Sequence, residues 1–291
     1  MTHRTSPIND KQPIDPVGLA RVVRTALEED IGVGDITTLS TVSEKAVARG
    51  KIVVKSSGII AGMPVVMEVF RQLDAQIKVR ATAEEGARVN QGDVVGEIEG
   101  PARSILTGER VALNFLQRLS GIATMTRRYV NSVMDSGVQI LDTRKTTPGL
   151  RLLEKYAVRV GGGHNHRMGL YDAGMIKDNH IVAVGSIASA VEQARAAMPR
   201  TMTITVECET LNQVDEALTA GADVLLLDNM DNLTRREAVR RARGRAKTEA
   251  SGGIARENIT EVAETGVDFI SVGALTHSAL PLDMSLDFVH D

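Results

Sequence analysis

The sequence predicts an α/β protein, a compact α+β unit followed by a parallel β/α barrel, and three observations carry that expectation. From Val138 onward, short apolar strands alternate with amphipathic helices in six successive steps, without a return to the first part of the chain. Aromatic residues make up 2% of the composition and Trp is absent, while hydrophobic residues reach 43%. The core must therefore rest on Val, Ile, Leu, Ala and Met, the residues of parallel strands covered by helices. No Gly-x-Gly-x-x-Gly follows the first strand of the series, which leaves an open doubly wound sheet as the weaker alternative.

Taken in order, Met1 to Gln12 is polar, and residues 1–14 read as a disordered tail without the apolar stretch of a secretory signal. Apolar residues at Val17, Leu19, Val22, Val23, Ala26 and Leu27 give Asp15 to Glu29 a helical pattern. Ala46 to Ile60 is β-branched and strand-like, Pro64 to Leu73 helical with Pro64 at its start, and Gln76 to Gly100 a set of short strands around a tight turn at 84–93. Ala102 to Met134 reads as one long helix with Gly121 as a break. The boundary falls near that helix, giving domains of residues 15–115 and 116–278. Beyond it, strands at 138–141, 173–176, 202–206, 224–227, up to Ser251, and 269–272 alternate with helices at 150–160, 187–198, 211–220, 232–243 and 255–265.

Composition excludes several functions. A net charge of −3 gives no global attraction to nucleic acid or to a membrane surface, and few aromatics leave few platforms for base stacking. No stretch approaches the roughly 20 apolar residues of a membrane span. The lone Cys208 rules out an internal disulfide and a cysteine-rich zinc site. These features point to a cytoplasmic enzyme.

Catalytic groups of a parallel barrel sit at the C-terminal ends of its strands. Here those ends carry Asp142-Thr143-Arg144-Lys145, Lys177, Glu207, Asp228, Ser251-Gly252-Gly253 and Gly273. Between Asp142 and His180 there are seven Arg and Lys against four Asp and Glu, in a chain that is acidic overall. Gly161-Gly162-Gly163 precede His164-Asn165-His166-Arg167, where glycines allow close backbone approach and Arg167 offers a bidentate partner for a carboxylate or phosphate. His164 and His166 alternate with no third His or Cys nearby, which argues against zinc. Glu207 and Asp228 suit Mg²⁺, which prefers oxygen and keeps waters and substrate phosphates as ligands. The glycines at 252, 253 and 273 suit a phosphate cradle. Lys145 or Lys177 leaves a Schiff-base aldolase as an alternative.

These segments, together with Glu29-Asp30, Gly34-Asp35-Ile36-Thr37-Thr38, Gly108-Glu109-Arg110-Val111-Ala112-Leu113-Asn114 and Leu119-Ser120-Gly121-Ile122-Ala123-Thr124, resemble the quinolinate phosphoribosyltransferase family over nearly the whole chain. The resemblance implies an N-terminal α/β sandwich domain, a barrel-like domain of about seven strands, and a C-terminal segment, 279–291, that packs back on the first domain. It implies that quinolinate and phosphoribosyl pyrophosphate give nicotinate mononucleotide, pyrophosphate and CO₂ in NAD biosynthesis, with Mg²⁺. By the same resemblance Thr143, Arg144, His166, Arg167 and Lys177 would hold quinolinate, with Arg110 reaching in from the partner of a homodimer that could assemble further. Lys145, Glu207, Asp228, Ser251, Gly252, Gly253 and Gly273 would hold phosphoribosyl pyrophosphate, with Lys145, Lys177, Glu207 and Asp228 catalytic and Glu207 and Asp228 at the metal. A paralogue acting on another acid is the alternative within the same fold.

Overall fold

A computed structural model describes residues 13–289; the expected tail lies, through residue 12, outside the described residues, and so do His290 and Asp291. Contacts divide the chain into two units. Among the described residues, one comprises 13–127, 146–162 and 275–289, the other 128–145 and 163–274.

In the first unit, helix α1 (Pro16–Ile31) starts where Asp15 accepts the Gly18 N–H at 2.8 Å, with Pro16 in the first position. A short helix not anticipated from the sequence, α2 (Ile36–Thr41), is capped in the same way by Asp35, which accepts the Thr38 N–H at 3.0 Å. The strand-like stretch at 46–60 resolves into β1 (Val47–Val54) and β2 (Gly58–Ile59). Helix α3 (Met63–Leu73) buries Val65, Val66, Val69 and Phe70. Strands β3 (Lys78–Ala81), β4 (Arg88–Val89) and β5 (Val94–Pro101) follow. An antiparallel sheet runs in the order β12-β1-β5-β3, where β12 (Met284–Phe288) is the last strand of the chain and sets Leu286 opposite Ile52. β4 pairs with β2 instead of forming a hairpin with β5.

Helix α4 (Ala102–Ser132) is continuous through Gly121, where the sequence suggested a break. The physical reason for the glycine is close approach: a Cβ there would collide with the carbonyl oxygen of Leu280. Helix α5 (Arg151–Val160) carries the fully buried Glu154, which accepts from Arg118 at 2.9 Å and from the Thr147 N–H at 3.0 Å. An uncompensated carboxylate at such a depth would be costly; here several donors satisfy it.

The second unit is a parallel sheet in the order β6-β11-β10-β9-β8-β7. Its strands are β6 (Gln139–Leu141), β7 (Gly174–Ile176), β8 (Ile204–Cys208), β9 (Val224–Asp228), β10 (Lys247–Ser251) and β11 (Phe269–Ser271). The first strand pairs with the last, Ile140 opposite Ile270, which is the circular order of a barrel. His164 makes one further parallel bridge, to Leu141, so the place of a seventh strand is taken by a single residue pair. Between strands lie α6 (Asp178–Val184), α7 (Ile187–Ala197), α8 (Leu211–Ala220), α9 (Asn232–Ala242) and α10 (Ile259–Ala263); α11 (Ala274–His277) comes after β11. Ile204, Val206, Leu225, Leu227, Ala250 and Ile270 have no exposed surface, the aliphatic core that the composition demands.

Candidate active site

Alternate residues of a strand face the same side of its sheet. On β8, β9 and β10 the set that faces inward includes Glu207, then Leu226 and Asp228, then Glu249 and Ser251. They line one cavity of about 620 Å³ together with Met175, Lys177, Ser271, Thr143, Arg144, Lys145, His166 and Arg167, and with Asn229, Gly252 and Gly253 from the loops. Most of the residues expected from the strand ends therefore meet in one place. Two do not line it: Gly273 sits two residues beyond β11, and Arg110 is exposed on α4, in the unit that does not hold the cavity.

The cavity carries charges of both signs. Burial, and after it the neighbouring Arg144 charge, pushes the Arg167 guanidinium below the usual arginine range. Two guanidinium groups that repel one another in a half-buried cleft gain from an anion between them. Arg167 is held in place by donating from its Nη1 to the Ala173 carbonyl at 3.1 Å. Lys177 is ion-paired with Glu207, which joins the cationic side to the acidic side. An ammonium so engaged is a poor amine nucleophile, so the pairing speaks against Lys177 as a Schiff-base lysine and leaves Lys145 untouched by it. The Asn229 amide donates to Asp228 at 2.7 Å.

The loop 163–167 is built on Asp142, which is fully buried at the end of β6. Its carboxylate accepts from the Asn165 amide at 2.6 Å and from the His166 N–H at 2.8 Å. The Arg167 N–H in turn donates to His166 Nδ1 at 2.7 Å, so the ring carries its hydrogen on Nε2. That nitrogen faces Glu249 Oε2 at 3.4 Å. The sequence reading missed Glu249, although the spacing contains the signal: it lies two residues before Ser251 and shares its face of β10.

Gly252 and Gly253, also in the lining, have positive φ angles, 84° and 61°, in the turn after β10. A Cβ on Gly252 would press into the side chain of Asn229 and lie 3.0 Å from its backbone nitrogen. Asn229 is itself left-handed, φ 51°, the only such non-glycine among the described residues, and its N–H donates to the Ser251 carbonyl at 3.0 Å. Strain of this kind collects where a ligand must be approached closely.

A barrel-like sheet whose strand ends set Arg and Lys against Glu and Asp defines an enzyme acting on an anionic substrate. The chain belongs to the quinolinate phosphoribosyltransferase family: the family's C-terminal domain matches residues 122–287 and its N-terminal domain residues 35–120. The probable nicotinate-nucleotide pyrophosphorylase (carboxylating) of Bacillus subtilis is 51% identical over 259 residues, 89% of each chain. NadC from Streptococcus pyogenes superposes with a TM-score of 0.92 at 43% identity, over 96% of this chain and 100% of that one. The nicotinate-nucleotide pyrophosphorylase of Francisella tularensis gives 0.90 at 40% identity, over 98% and 100%. The activity is that of a pentosyltransferase of NAD biosynthesis. No helix among the described residues is long and apolar enough to cross a membrane.

Proposed function

We propose that the cavity at the strand ends is where quinolinate and phosphoribosyl pyrophosphate meet, and that its two faces divide the substrates between them. Arg144, Arg167, Lys177, His166 and Thr143 take the two carboxylates of quinolinate. Ser251, Gly252 and Gly253 take the 5′-phosphate, with Gly273 behind them, and Lys145 lies between the substrates. Glu207 and Asp228 serve the ribose hydroxyls. The observation that carries this division is the convergence of Arg144, His166 and Arg167 on one cavity, where a dianionic acid offsets the positive charge.

Glu207 and Asp228 also fit Mg²⁺. They offer carboxylate oxygens on adjacent strands, and no third His, Cys, Asp or Glu joins them among the described residues. A hard cation that keeps waters and pyrophosphate oxygens as its other ligands takes such a pair. When bound, the ion neutralises charge that builds on the leaving pyrophosphate.

The chain's own residues do the rest by position and charge. Arg144, Arg167 and Lys177 fix the ring so that its nitrogen faces the ribose C1. The C1–oxygen bond to pyrophosphate breaks as the nitrogen–C1 bond forms, and Glu207 and Asp228 stabilise the cationic ribose between. The ring, now positively charged, accepts the electron pair left when the adjacent carboxylate departs as CO₂, and that carbon takes up a proton. The working assembly is a homodimer in the cytoplasm, with Arg110 of the partner subunit completing the acid site.

The deciding experiment is quinolinate-dependent CO₂ release, with phosphoribosyl pyrophosphate and Mg²⁺ each omitted in turn. Loss of a charged hydrogen bond amounts to ~1.5–3 kcal/mol, so Arg144→Ala should raise the quinolinate KM about 10- to 100-fold. An unchanged KM would overturn the carboxylate assignment, and a preference for nicotinate over quinolinate would overturn the substrate.

A further inference from the structure

Glu249 is the one cavity-lining carboxylate that the division of labour above leaves without a task. It lies in the middle of β10, with 2% of its surface exposed, and its Oε1 has no hydrogen-bond partner. A buried carboxylate with an unsatisfied oxygen costs stability, so packing alone does not account for it. Its other oxygen faces His166 Nε2 at 3.4 Å. His166 is fixed from the far side as well, because Nδ1 accepts the Arg167 N–H and cannot also carry a hydrogen.

We propose that Glu249 is a positioning residue, which accepts the Nε2–H of His166 and so fixes the plane and the donor direction of that ring for quinolinate. The backbone alone leaves the ring free to turn about its bond to Cβ. The hydrogen bond to Nδ1 and the carboxylate at Nε2 together leave one orientation, with the Nε2 edge of the ring toward Glu249. A substrate carboxylate then meets an N–H already aimed and shared, in the way a second carboxylate orients a functional histidine elsewhere in proteins. Such a residue trades fold stability for preorganisation of the site.

The proposal rests on the quinolinate reading only for its kinetic consequence, and the test separates the two. Glu249→Gln keeps an acceptor oxygen opposite Nε2, whereas Glu249→Leu removes it. In ligand-free protein with ¹⁵N-labelled histidine, a slowly exchanging Nε2–H signal is expected for wild type and Glu249→Gln and lost in Glu249→Leu, its assignment fixed by its absence from His166→Gln. Both Glu249 variants should melt at or above the wild-type temperature, because a buried carboxyl group with an unpartnered oxygen has gone. The quinolinate KM should rise about tenfold in Glu249→Leu with a smaller change in kcat, and Glu249→Gln should restore most of it. An unaltered His166 signal in Glu249→Leu overturns the proposal, and so does an unaltered KM. Melting of both variants below wild type, or failure to fold, assigns the carboxylate to structure and overturns it too. If wild type does not turn over quinolinate, the functional reading fails, while the histidine signal and the melting temperatures still decide the role of Glu249.

Discussion

Asn229 and Gly252 show how tightly two neighbouring strand ends are fitted. Asn229 holds φ at 51°, and the space opposite its backbone nitrogen is left by the missing Cβ of Gly252, whose own φ is 84°. Gly252→Ala therefore introduces both a close contact and an unfavourable backbone angle. A methyl group there pushes Asn229 outward, and with it the amide that donates to Asp228. On the proposed division of the cavity the damage falls on the phosphoribosyl side, so the KM for phosphoribosyl pyrophosphate should rise at least about tenfold while quinolinate binding, read by calorimetry, changes little. Equal losses for both substrates would mean that the two faces are not separate. Cys208 shows the opposite case: burial, helped by the Glu207 charge, pushes its thiol up to about 12, so it belongs to the core and not to the chemistry.

At the scale of elements, α3 depends on a distant carboxylate for its N-terminus. Glu85 accepts from the N–H groups of Gly62 and Met63 at 2.8–3.0 Å and from the Tyr156 hydroxyl at 2.6 Å. Those bonds favour the charged form, yet burial outweighs them and the carboxyl lies above its ordinary 4.5. A carboxyl raised in the folded state contributes most below the unfolded value, and that contribution is lost as the pH rises through the folded value. The stability of wild type relative to Glu85→Gln, from urea unfolding, should therefore fall as the pH rises above the ordinary 4.5. A difference that moves the other way would show that the N–H bonds outweigh burial. Gly121→Ala, which forces α4 and the chain at Leu280 apart, should cost ~1–3 kcal/mol and lower the melting temperature. Neither Glu85 nor Gly121 reveals its role in the sequence, because each acts on residues far along the chain. Arg144, Lys177, Glu207, Asp228 and Ser251 were legible, since an apolar strand that ends in a charge or a glycine marks its own exit. Glu249 was legible only through its spacing of two from Ser251, for a strand buried on both faces does not otherwise announce which of its residues look inward. His164 holds the place of a strand with a single bridge, too short for any periodicity to register.

For the whole molecule, the cavity collects every expected site residue except Gly273 and Arg110, and the two omissions differ in kind. Gly273 lies two residues beyond β11, whose Ser271 does line the cavity. Arg110 stands exposed on α4, in the unit without the cavity. If Arg110 of the partner subunit completes the site, Arg110→Ala and Arg144→Ala each silence a homodimer at quinolinate concentrations far below the raised KM, for a different reason. Mixed in equal amounts and allowed to exchange subunits, half of the dimers carry one chain of each kind. In such a dimer the chain with intact Arg144 receives an intact Arg110 from its partner, and the other site lacks both. Activity should then recover to about a quarter of wild type, one site in two in half of the dimers. A chain that supplies Arg110 to its own cavity, or one that works as a monomer, gives no recovery at any mixing ratio. Recovery that scales with the product of the two variants' concentrations would place the acid site across two copies of the chain.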